Sequence, residues 1–297
     1  MGRFHAEKLA RLRGVKLTAV VDADASRAAA LAEKLGGKPL GDYRELFGEV
    51  DAAVIAVPTD RHHAVARECL EHGLHLLIEK PIATTLAEAD ELIALAERNR
   101  AVLQVGHVER YNKAFRALRA RMKRPLFIEA ERLAAFKQRG AEVDVVLDLM
   151  IHDLDLACAL ARAEPSGVSA CGFRVLTDDI DIANARIEFE NGCVANLSAS
   201  RVSQTAVRKL RVFQPGLYVS ADLQAGKLRY VRNVRGAVEQ IDESHPGGDA
   251  LADQAAAFVA AVRKKSATEA DGGQGRRALE LALTVGRLVR ERLERFV

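Results

Sequence analysis

The sequence predicts an α/β protein with two regions: a doubly wound parallel sheet, then an α+β region with a large, open, mostly antiparallel sheet. Over roughly the first hundred residues, short apolar runs alternate with amphipathic helical segments, which is typical of parallel strands joined by helices. After Gly106, several strands follow one another with few helices between them, which favours antiparallel pairing. Between two of these strands stands Asn191-Gly192, a strong hairpin signal.

The first region is predicted to span residues 1–107. Its strands are short apolar runs, and its helices carry apolar residues at helical spacing. Gly36-Gly37 ends one helix, Gly73 ends another, and Pro58 ends a strand. The predicted elements are, in order, a helix at 3–13, a strand at 15–21, a helix at 24–35, a strand at 52–57, a helix at 60–72, a strand at 75–79, a helix at 86–98 and a strand at 102–105.

The second region is predicted to span residues 108–297. Alternating apolar and polar residues predict half-buried strands here, with helices on one face of the sheet. The predicted elements are, in order, a helix at 113–122, a strand at 126–133, a helix at 148–161, strands at 168–175, 182–189, 193–200, 208–213, 217–222 and 227–231, and helices at 250–264 and 276–294.

The composition excludes several classes of protein. The 297 residues carry a net charge of only +3, which gives no reason to expect nucleic acid or a membrane surface as a partner. No apolar run approaches the roughly 18 residues that span a bilayer, and the N-terminus has no apolar signal core. The four cysteines form no C-x-x-C pair, which favours buried, reduced thiols in a cytoplasmic protein.

The start of the chain shows part of a dinucleotide-binding pattern. In full, that pattern is a strand, then G-x-G-x-x-G at the start of a helix, then an acidic residue about 20 positions later. Gly2 opens the first predicted helix and Asp22 ends the next strand twenty positions on, so Gly2 fits the third glycine. An acidic residue at position 22 accepts the ribose hydroxyls and repels a 2′-phosphate, which favours NAD over NADP.

On this interpretation, the first strand and the first two glycines of a Rossmann fold would lie upstream of Met1, and we expect an N-terminally truncated chain. A Rossmann sheet without its first strand lacks its central member. The pyrophosphate would also lose the turn that brings backbone N–H groups close to it. The alternative is an unusual start, with a small N-terminal helix that never followed a glycine loop.

Three polar clusters stand next to apolar runs. Glu79-Lys80-Pro81 follows the predicted strand at 75–79, and the other two clusters are Gly106–Arg110 and Asp148–Asp155. In open α/β sheets, ligands bind at the carboxyl ends of the strands. We therefore expect one active site assembled from segments that are distant in the sequence.

These motifs, in this order and at these spacings, resemble the Gfo/Idh/MocA oxidoreductases over essentially the whole chain. The resemblance implies an N-terminal Rossmann domain, NAD as cofactor, and hydride transfer from a secondary hydroxyl of a sugar or nucleotide sugar. The residues that carry it are Met1-Gly2-Arg3-Phe4-His5, Val20-Val21-Asp22, Pro58-Thr59-Asp60-Arg61-His62, Glu79-Lys80-Pro81, Gly106-His107-Val108-Glu109-Arg110 and Asp148-x-x-x-His152-x-x-Asp155.

Two of the motifs point to a narrower branch. Gly106–Asn112 together with Asp148–Asp153 resembles the branch that contains UDP-N-acetylglucosamine 3-dehydrogenases. The resemblance implies oxidation of the sugar 3-hydroxyl to a ketone, which an aminotransferase then converts for a diamino sugar of lipid A. The alternatives are another sugar or inositol dehydrogenase of the family, and a non-catalytic sugar or nucleotide sensor of the same fold.

The chemistry of alcohol oxidation assigns roles to three residues. A general base works best with a pKa near the operating pH, so we expect His152 to take the hydroxyl proton. Asp148 lies four positions earlier on a predicted helix and would orient the imidazole or bind a substrate hydroxyl. Lys80 would stabilise the developing alkoxide, and its bond to Pro81 is a candidate for the cis form. In the family, Lys80 and His152 match the catalytic pair.

Other residues are candidates for binding roles. Together with Gly2 and Asp22, a group of residues after the predicted strands is expected to hold the cofactor: Pro58, His62, Glu79 and Lys80. Arg110 is expected to position the substrate, and the weaker candidates Asn184 and Arg201 would belong to the wall supplied by the second region. No metal is expected, because His152, Asp153 and Asp155 do not converge on one helix face.

Simpler interpretations remain open for the same residues. A lysine after a strand is commonly solvated, and Asp148 could be the N-cap of the predicted helix. The open sheet of the second region must bury its exposed face, and pairing with another copy would do so. We therefore expect a homodimer or homotetramer.

Overall fold

The computed structural model describes residues 1–136 and 143–296. Its helices are α1 (Gly2–Leu9), α2 (Ala25–Leu35), α3 (His62–Glu71), α4 (Leu86–Arg98), α5 (Lys113–Arg121), α6 (Ile151–Ala161), α7 (Ala250–Lys264) and α8 (Gly272–Phe296). Its strands are β1 (Ala19–Val21), β2 (Lys38–Leu40), β3 (Ala52–Ile55), β4 (His75–Ile78), β5 (Leu103–Val105), β6 (Phe127–Leu133), β7 (Pro165–Phe173), β8 (Ile182–Phe189), β9 (Val194–Ser200), β10 (Val207–Gln214), β11 (Leu217–Asp222), β12 (Lys227–Val234) and β13 (Ala237–Ser244).

The chain divides into two compact units. The first unit comprises Met1–Tyr111 and Asp249–Arg276, and the second comprises Asn112–Gly248 and Arg277–Val297. The sequence placed the whole of 108–297 in one region, whereas helix α7 belongs to the first unit. The reason is apolar packing, because Phe258 and Ala261 of α7 share a buried cluster with Leu77 and Val102.

The helix ends of the first unit follow from local capping. Thr85 and Glu88 form a capping box at the start of α4, which satisfies two amide groups that the helix itself leaves unbonded. Asp24 caps α2 by accepting from the amides of Ser26 and Arg27. At its other end, α2 stops at Gly36, whose φ of 85° suits a residue without a side chain.

The five strands of the first unit form two parallel sheets. One sheet pairs β1 with β2, and the other has the order β3-β4-β5. Four of these strands were predicted, although residues 15–18 lie outside the strand expected at 15–21. The strand β2 was missed, because Lys38-Pro39-Leu40 is only three residues long and contains a proline, which normally argues against a strand interior.

The second unit contains one mixed sheet of eight strands, in the order β13-β12-β11-β10-β6-β9-β8-β7. Its pairs are antiparallel except β6 with β9, which confirms the predicted mostly antiparallel sheet. The edge strand β13 was missed. Its residues are mostly exposed, so it lacks the alternation of apolar and polar residues that predicts a half-buried strand.

One face of this sheet carries the core of the second unit. Strand β8 alternates between buried and accessible residues, as expected when one face packs against helices. The buried side chains of the strands form one cluster with residues of α5, α6 and α8. Among residues 1–136 and 143–296, no helix has the length and apolar character needed to cross a membrane.

Candidate active site

The candidate residues of the first unit follow directly after its parallel strands. Asp22 follows β1, Pro58 lies shortly after β3, Glu79-Lys80 follows β4, and Gly106 follows β5. The carboxyl ends of parallel strands are where open α/β sheets bind ligands. The strand boundaries therefore put these residues where the sequence predicted a binding edge.

Asp22 presents a partly exposed carboxylate at this edge. Its Oδ1 accepts from the Asp24 amide at 2.9 Å and lies 3.2 Å from the Arg27 guanidinium. The side chain keeps 36% of its accessible surface, and Oδ2 has no hydrogen bond within the described residues. This oxygen fits the ribose hydroxyls of a dinucleotide.

Gly2 begins α1 next to the end of β3. A Cβ built at Gly2 would meet only the Ala56 Cβ, at 3.8 Å. The first amides of a helix have no partner inside the helix, and they carry the positive end of its dipole. The start of α1 therefore fits a pyrophosphate, and with Asp22 it makes a donor and acceptor set suited to NAD.

Glu79 is held in place by a buried histidine. The His5 Nε2 lies 2.6 Å from the Glu79 Oε1, and both residues are buried. Burial alone would raise the pKa of the Glu79 carboxyl, but the hydrogen bond and charge of His5, together with Lys80, outweigh it and hold that pKa below its usual value. Glu79 therefore joins α1 to the end of β4 as a carboxylate, a link that the sequence did not suggest.

Lys80 is partly exposed, beside these buried groups. The peptide bond between Lys80 and Pro81 is cis, as predicted. Glu79 Oε2 accepts from the Lys80 amide at 3.3 Å. A cation at the end of β4 thus stands next to the buried carboxylate of Glu79.

His62 is buried and bridges two loops of the first unit. Its Nδ1 lies 2.8 Å from the Pro81 carbonyl oxygen, and its Nε2 lies 3.0 Å from that of Val57. A neutral imidazole has one N–H, so it donates to one of these carbonyls at a time. Burial lowers the pKa of His62, although both carbonyls favour the protonated ring. The sequence expected His62 to line a cofactor pocket, whereas the structure shows it joining the segments after β3 and β4.

Gly106 and Arg110 both help to hold the segment that follows β5 in place. A Cβ at Gly106 would lie 2.9 Å from the Glu79 Oε2 and 3.0 Å from its Cα, so only glycine lets β5 approach β4 here. Arg110 is buried, and its Nη1 donates to the Glu269 carbonyl at 2.5 Å and to the Gln274 Oε1 at 2.9 Å. These contacts anchor the segment after β5, and the expected substrate role of Arg110 remains a prediction.

In the second unit, Asp148 and His152 lie on one continuous helical segment. Residues Val146–Met150 form a π-helical turn that leads into α6, a local geometry that is frequent at functional sites. The helical segment starts before the predicted residue 148, and Asp144 accepts from the Leu147 amide at 2.9 Å. Asp144 therefore caps this helix, so the interpretation of Asp148 as its N-cap is wrong.

A buried ion pair fixes the helix that bears His152. The Arg132 Nε and Nη2 lie 3.0 Å and 2.8 Å from the two carboxylate oxygens of Asp153. Both residues are buried, and the two-point geometry sets the rotation of the helix against β6. Sequence reasoning treated Asp153 as part of a motif and missed Arg132, whose only signal was a charge at an alternating position of a strand.

The two weaker substrate candidates have separate surroundings in the second unit. Arg201 is buried, with its Nη2 2.8 Å from the Ile180 carbonyl and its Nε 3.2 Å from Asp181. Asn184 is exposed on β8 and donates to the Ser198 hydroxyl at 2.6 Å. The neighbours of Asn184 along β8 point into the core beneath α6, so Asn184 faces away from that helix. The structure therefore does not bring Asn184 next to His152.

The described residues contain no group of three or more His, Cys, Asp or Glu side chains arranged to hold a metal ion.

Comparison with known proteins identifies the family to which this chain belongs. Residues 1–107 match the model of an oxidoreductase family with an NAD-binding Rossmann fold, and residues 114–214 match the GFO/IDH/MocA C-terminal domain. A UDP-N-acetylglucosamine 3-dehydrogenase from Acidithiobacillus ferrooxidans is 41% identical over 99% of this chain and 96% of its own length. The chain belongs to the Gfo/Idh/MocA oxidoreductase family.

Solved structures agree with this assignment. A structure of the Acidithiobacillus ferrooxidans enzyme superposes with a TM-score of 0.93 over 97% of this chain and 94% of the other. A scyllo-inositol dehydrogenase from Lactobacillus casei, with bound NAD(H) and scyllo-inositol, has a TM-score of 0.83 at 16% identity over 98% and 94% of the two chains, and it shows the fold alone. The family confirms the prediction of an NAD-binding dehydrogenase.

Proposed function

We propose that this protein oxidises the 3-hydroxyl of UDP-N-acetylglucosamine with NAD as hydride acceptor. The observation that carries the proposal is the 41% identity to a UDP-N-acetylglucosamine 3-dehydrogenase over 99% of the chain. Relatives of similar fold but lower identity act on inositols, so fold alone does not select the substrate. The bound cofactor supplies the acceptor for the hydride, and the chain's own residues handle the proton and the charge.

In this proposal, His152 takes the proton of the substrate hydroxyl. An imidazole is the side chain whose ordinary pKa lies nearest neutrality, so it can both accept a proton and release it to water. Asp148, one helical turn earlier, is proposed to orient the ring. The ion pair between Arg132 and Asp153 supports this role by fixing the helix.

Lys80 is proposed to stabilise the alkoxide as the hydroxyl proton leaves. A cation lowers the energy of a developing negative charge most effectively when it is held in place before the reaction. The buried pair of Glu79 and His5 fixes the backbone directly before Lys80. Lys80 is therefore attached to a backbone that is already held in place before the substrate binds.

Asp22 and the start of α1 are proposed to hold the cofactor. The free oxygen of Asp22 would accept the ribose hydroxyls, and the carboxylate would repel a 2′-phosphate, which favours NAD over NADP. Pro58, His62 and Glu79 shape the loops beside this edge. Arg110 and Arg201 remain proposed contacts of the substrate, whereas Asn184, which faces away from α6, is not proposed as one.

The protein is further proposed to act in the cytoplasm as a homodimer or homotetramer. The face of the eight-stranded sheet opposite α6 carries accessible polar groups such as Asn184, Arg186 and Glu188. Another copy of the chain could cover this face. Sedimentation that shows only monomer over a wide concentration range would contradict this part of the proposal.

Two substitutions test the assigned chemistry. With UDP-N-acetylglucosamine and NAD, His152→Asn should lower kcat by about 10²–10⁴-fold, and Lys80→Met by at least about 10²-fold. The matched controls are His63→Asn, at a partly exposed histidine, and Lys227→Met, at an exposed lysine, and both should keep near-normal rates. Circular dichroism should show the same fold for all four variants. A near-normal kcat in either active-site variant would remove that residue from the mechanism.

A further inference from the structure

The carboxyl end of β4 carries a buried pair of side chains, Glu79 and His5. Their side chains keep only 11% and 2% of their accessible surface, and the His5 Nε2 lies 2.6 Å from the Glu79 Oε1. The other oxygen, Oε2, accepts from the Lys80 amide at 3.3 Å. A Cβ at Gly106 would lie 2.9 Å from this oxygen. The carboxylate is therefore enclosed by α1, the end of β4 and the segment after β5.

The charge of this pair depends on a single proton. Burial raises the pKa of the Glu79 carboxyl, but the hydrogen bond from His5 and the charges of His5 and Lys80 outweigh burial and keep that pKa below its usual value. The carboxylate therefore stays ionised, and any proton of the pair resides on the imidazole. With that proton the pair is neutral overall, and without it the pair carries a net negative charge.

The pair stands on the side of the first unit that the nicotinamide half of the cofactor must reach. A dinucleotide lies across the carboxyl ends of the strands, with its pyrophosphate at the start of the first helix. Here that helix starts at Gly2, and Asp22, which is proposed to hold a ribose, follows β1. His5 lies one helical turn after Gly2, and Glu79 follows β4. The half of the cofactor that extends away from Asp22 is therefore expected to approach this pair.

The two redox forms of the cofactor differ in charge at this end. The nicotinamide ring is positively charged in NAD and neutral in NADH. A fixed negative charge nearby therefore stabilises bound NAD and leaves the affinity for NADH almost unaffected. Two unit charges about 10 Å apart, at an effective dielectric constant of about 20, change a binding constant by roughly tenfold. Because the Glu79 carboxylate is buried, salt screens its charge only weakly.

We infer that the buried pair of Glu79 and His5 sets the preference of this protein for the oxidised over the reduced cofactor. Glu79 supplies the negative charge. His5 is a positioning residue, which holds the carboxylate and offsets its charge while the ring is protonated. The preference for NAD therefore increases when the pair loses its proton, and NAD binding releases that proton to solvent. The inference rests on the proposed function, because Lys80, next to Glu79, marks the place of the reacting nicotinamide.

Other titratable groups face the pair from the elements around it. Lys80 follows Glu79 directly, and its charge favours the carboxylate. At the start of α3, burial lowers the pKa of His62, although the charge of Glu79 opposes this, so the His62 ring is neutral near pH 7. His107 is buried in the segment after β5. Substitutions of Glu79 and His5 leave these three groups in place, so they isolate the charge of the pair.

The test measures the dissociation constants of NAD and of NADH by titration calorimetry, with the full chain and without a sugar. Glu79→Gln removes the negative charge and should weaken NAD binding about tenfold more than NADH binding. At about pH 6, where histidines are ordinarily protonated, His5→Gln leaves the carboxylate without its counter-charge. It should shift the ratio of the two constants in the opposite direction, toward NAD, by at least threefold. Loss of packing alone would weaken both nucleotides alike.

A second His–Glu pair of the first unit provides matched controls. The His63 Nε2 lies 2.8 Å from the Glu91 Oε2, and both side chains are accessible to solvent. His63→Gln and Glu91→Gln should leave the ratio of the NAD and NADH dissociation constants unchanged. A shift of that ratio in these controls as large as in the Glu79 and His5 variants would contradict a role specific to the buried pair.

Equal changes of the two dissociation constants in Glu79→Gln, or a ratio that does not move in His5→Gln, would overturn the inference. If these variants do not fold, the unmodified chain decides. Calorimetry in buffers of different ionisation enthalpy should show proton release between pH 6 and pH 9 when NAD binds and none when NADH binds. Equal release, or no saturable binding of either nucleotide, would overturn the inference. No sugar takes part, so failure to oxidise UDP-N-acetylglucosamine is a separate result.

Discussion

The two units differ in how completely their sheets are built. In the second unit, eight strands of six to nine residues form one ladder over a core of fully buried side chains. In the first unit, strands of three or four residues form two separate sheets with a trough between their edges. The predicted cofactor residues therefore stand on the less complete sheet. We infer that the second unit carries most of the stability and that the first is the more responsive to ligands.

The largest expected effect comes from the buried ion pair of the second unit. Arg132→Met leaves the Asp153 carboxylate buried with its main cation removed, and should lower the free energy of unfolding of that unit by about 3–5 kcal/mol. The double substitution Arg132→Met with Asp153→Leu should recover most of this loss. The free energy of unfolding is measured by chemical denaturation, and amide hydrogen exchange within the second unit monitors its unfolding. An equal loss of unfolding free energy in the single and double variants would show that the cost does not come from leaving the Asp153 carboxylate without Arg132.

A matched pair of valines compares the two sheets directly. Val219 on β11 is fully buried, whereas Val54 on β3 is partly buried beside the trough. Truncation of a buried side chain removes its transfer energy and leaves a cavity. We expect Val219→Ala to cost about 2 kcal/mol and Val54→Ala less than about 1 kcal/mol of unfolding free energy. Equal losses would contradict the view that the first unit is the less tightly packed.

The smallest expected effect is a pH dependence confined to the first unit. Because burial lowers the pKa of His62 below 6.5, the unfolded chain takes up this proton before the folded one. The stability of the first unit should therefore fall as the pH drops below about 6.5, by no more than about 1.4 kcal/mol per pH unit.

Two variants check the origin of this pH dependence. His62→Gln should flatten the dependence between pH 7 and pH 5, a window set by the ordinary histidine pKa of about 6.5. The partly exposed neighbour His63→Gln is the control and should leave the dependence as it is. If both variants respond alike, His62 is not the titrating group.

Much of the fold followed from the sequence because apolar runs and turn residues carry it. The parallel strands β3, β4 and β5 were predicted from continuous apolar runs, and β8 and β9 from alternation around Asn191-Gly192. The strand β2 was missed because three residues that include Pro39 carry no such signal. The edge strand β13 was missed because the charged residues that keep an edge soluble also remove the alternation.

The contacts of the site were less predictable than its location. The positions of Asp22 and Lys80 at strand ends followed from the pattern of strands. The pairing of His5 with Glu79, and of Arg132 with Asp153, joins residues that are 74 and 21 positions apart. Spacing within one element cannot reveal such pairs, because they depend on how separate elements pack. The π-helical turn before His152 likewise has no signature in the apolar pattern.

The most direct test of the central claim is to incubate the full chain with NAD and UDP-N-acetylglucosamine. NADH formation would be followed by absorbance and the sugar product by mass spectrometry. The proposal predicts NADH formation that requires the nucleotide sugar, together with a product lighter than the substrate by two hydrogens. Saturable NAD binding without oxidation of UDP-N-acetylglucosamine, while an inositol or another sugar is oxidised, would contradict the proposed substrate.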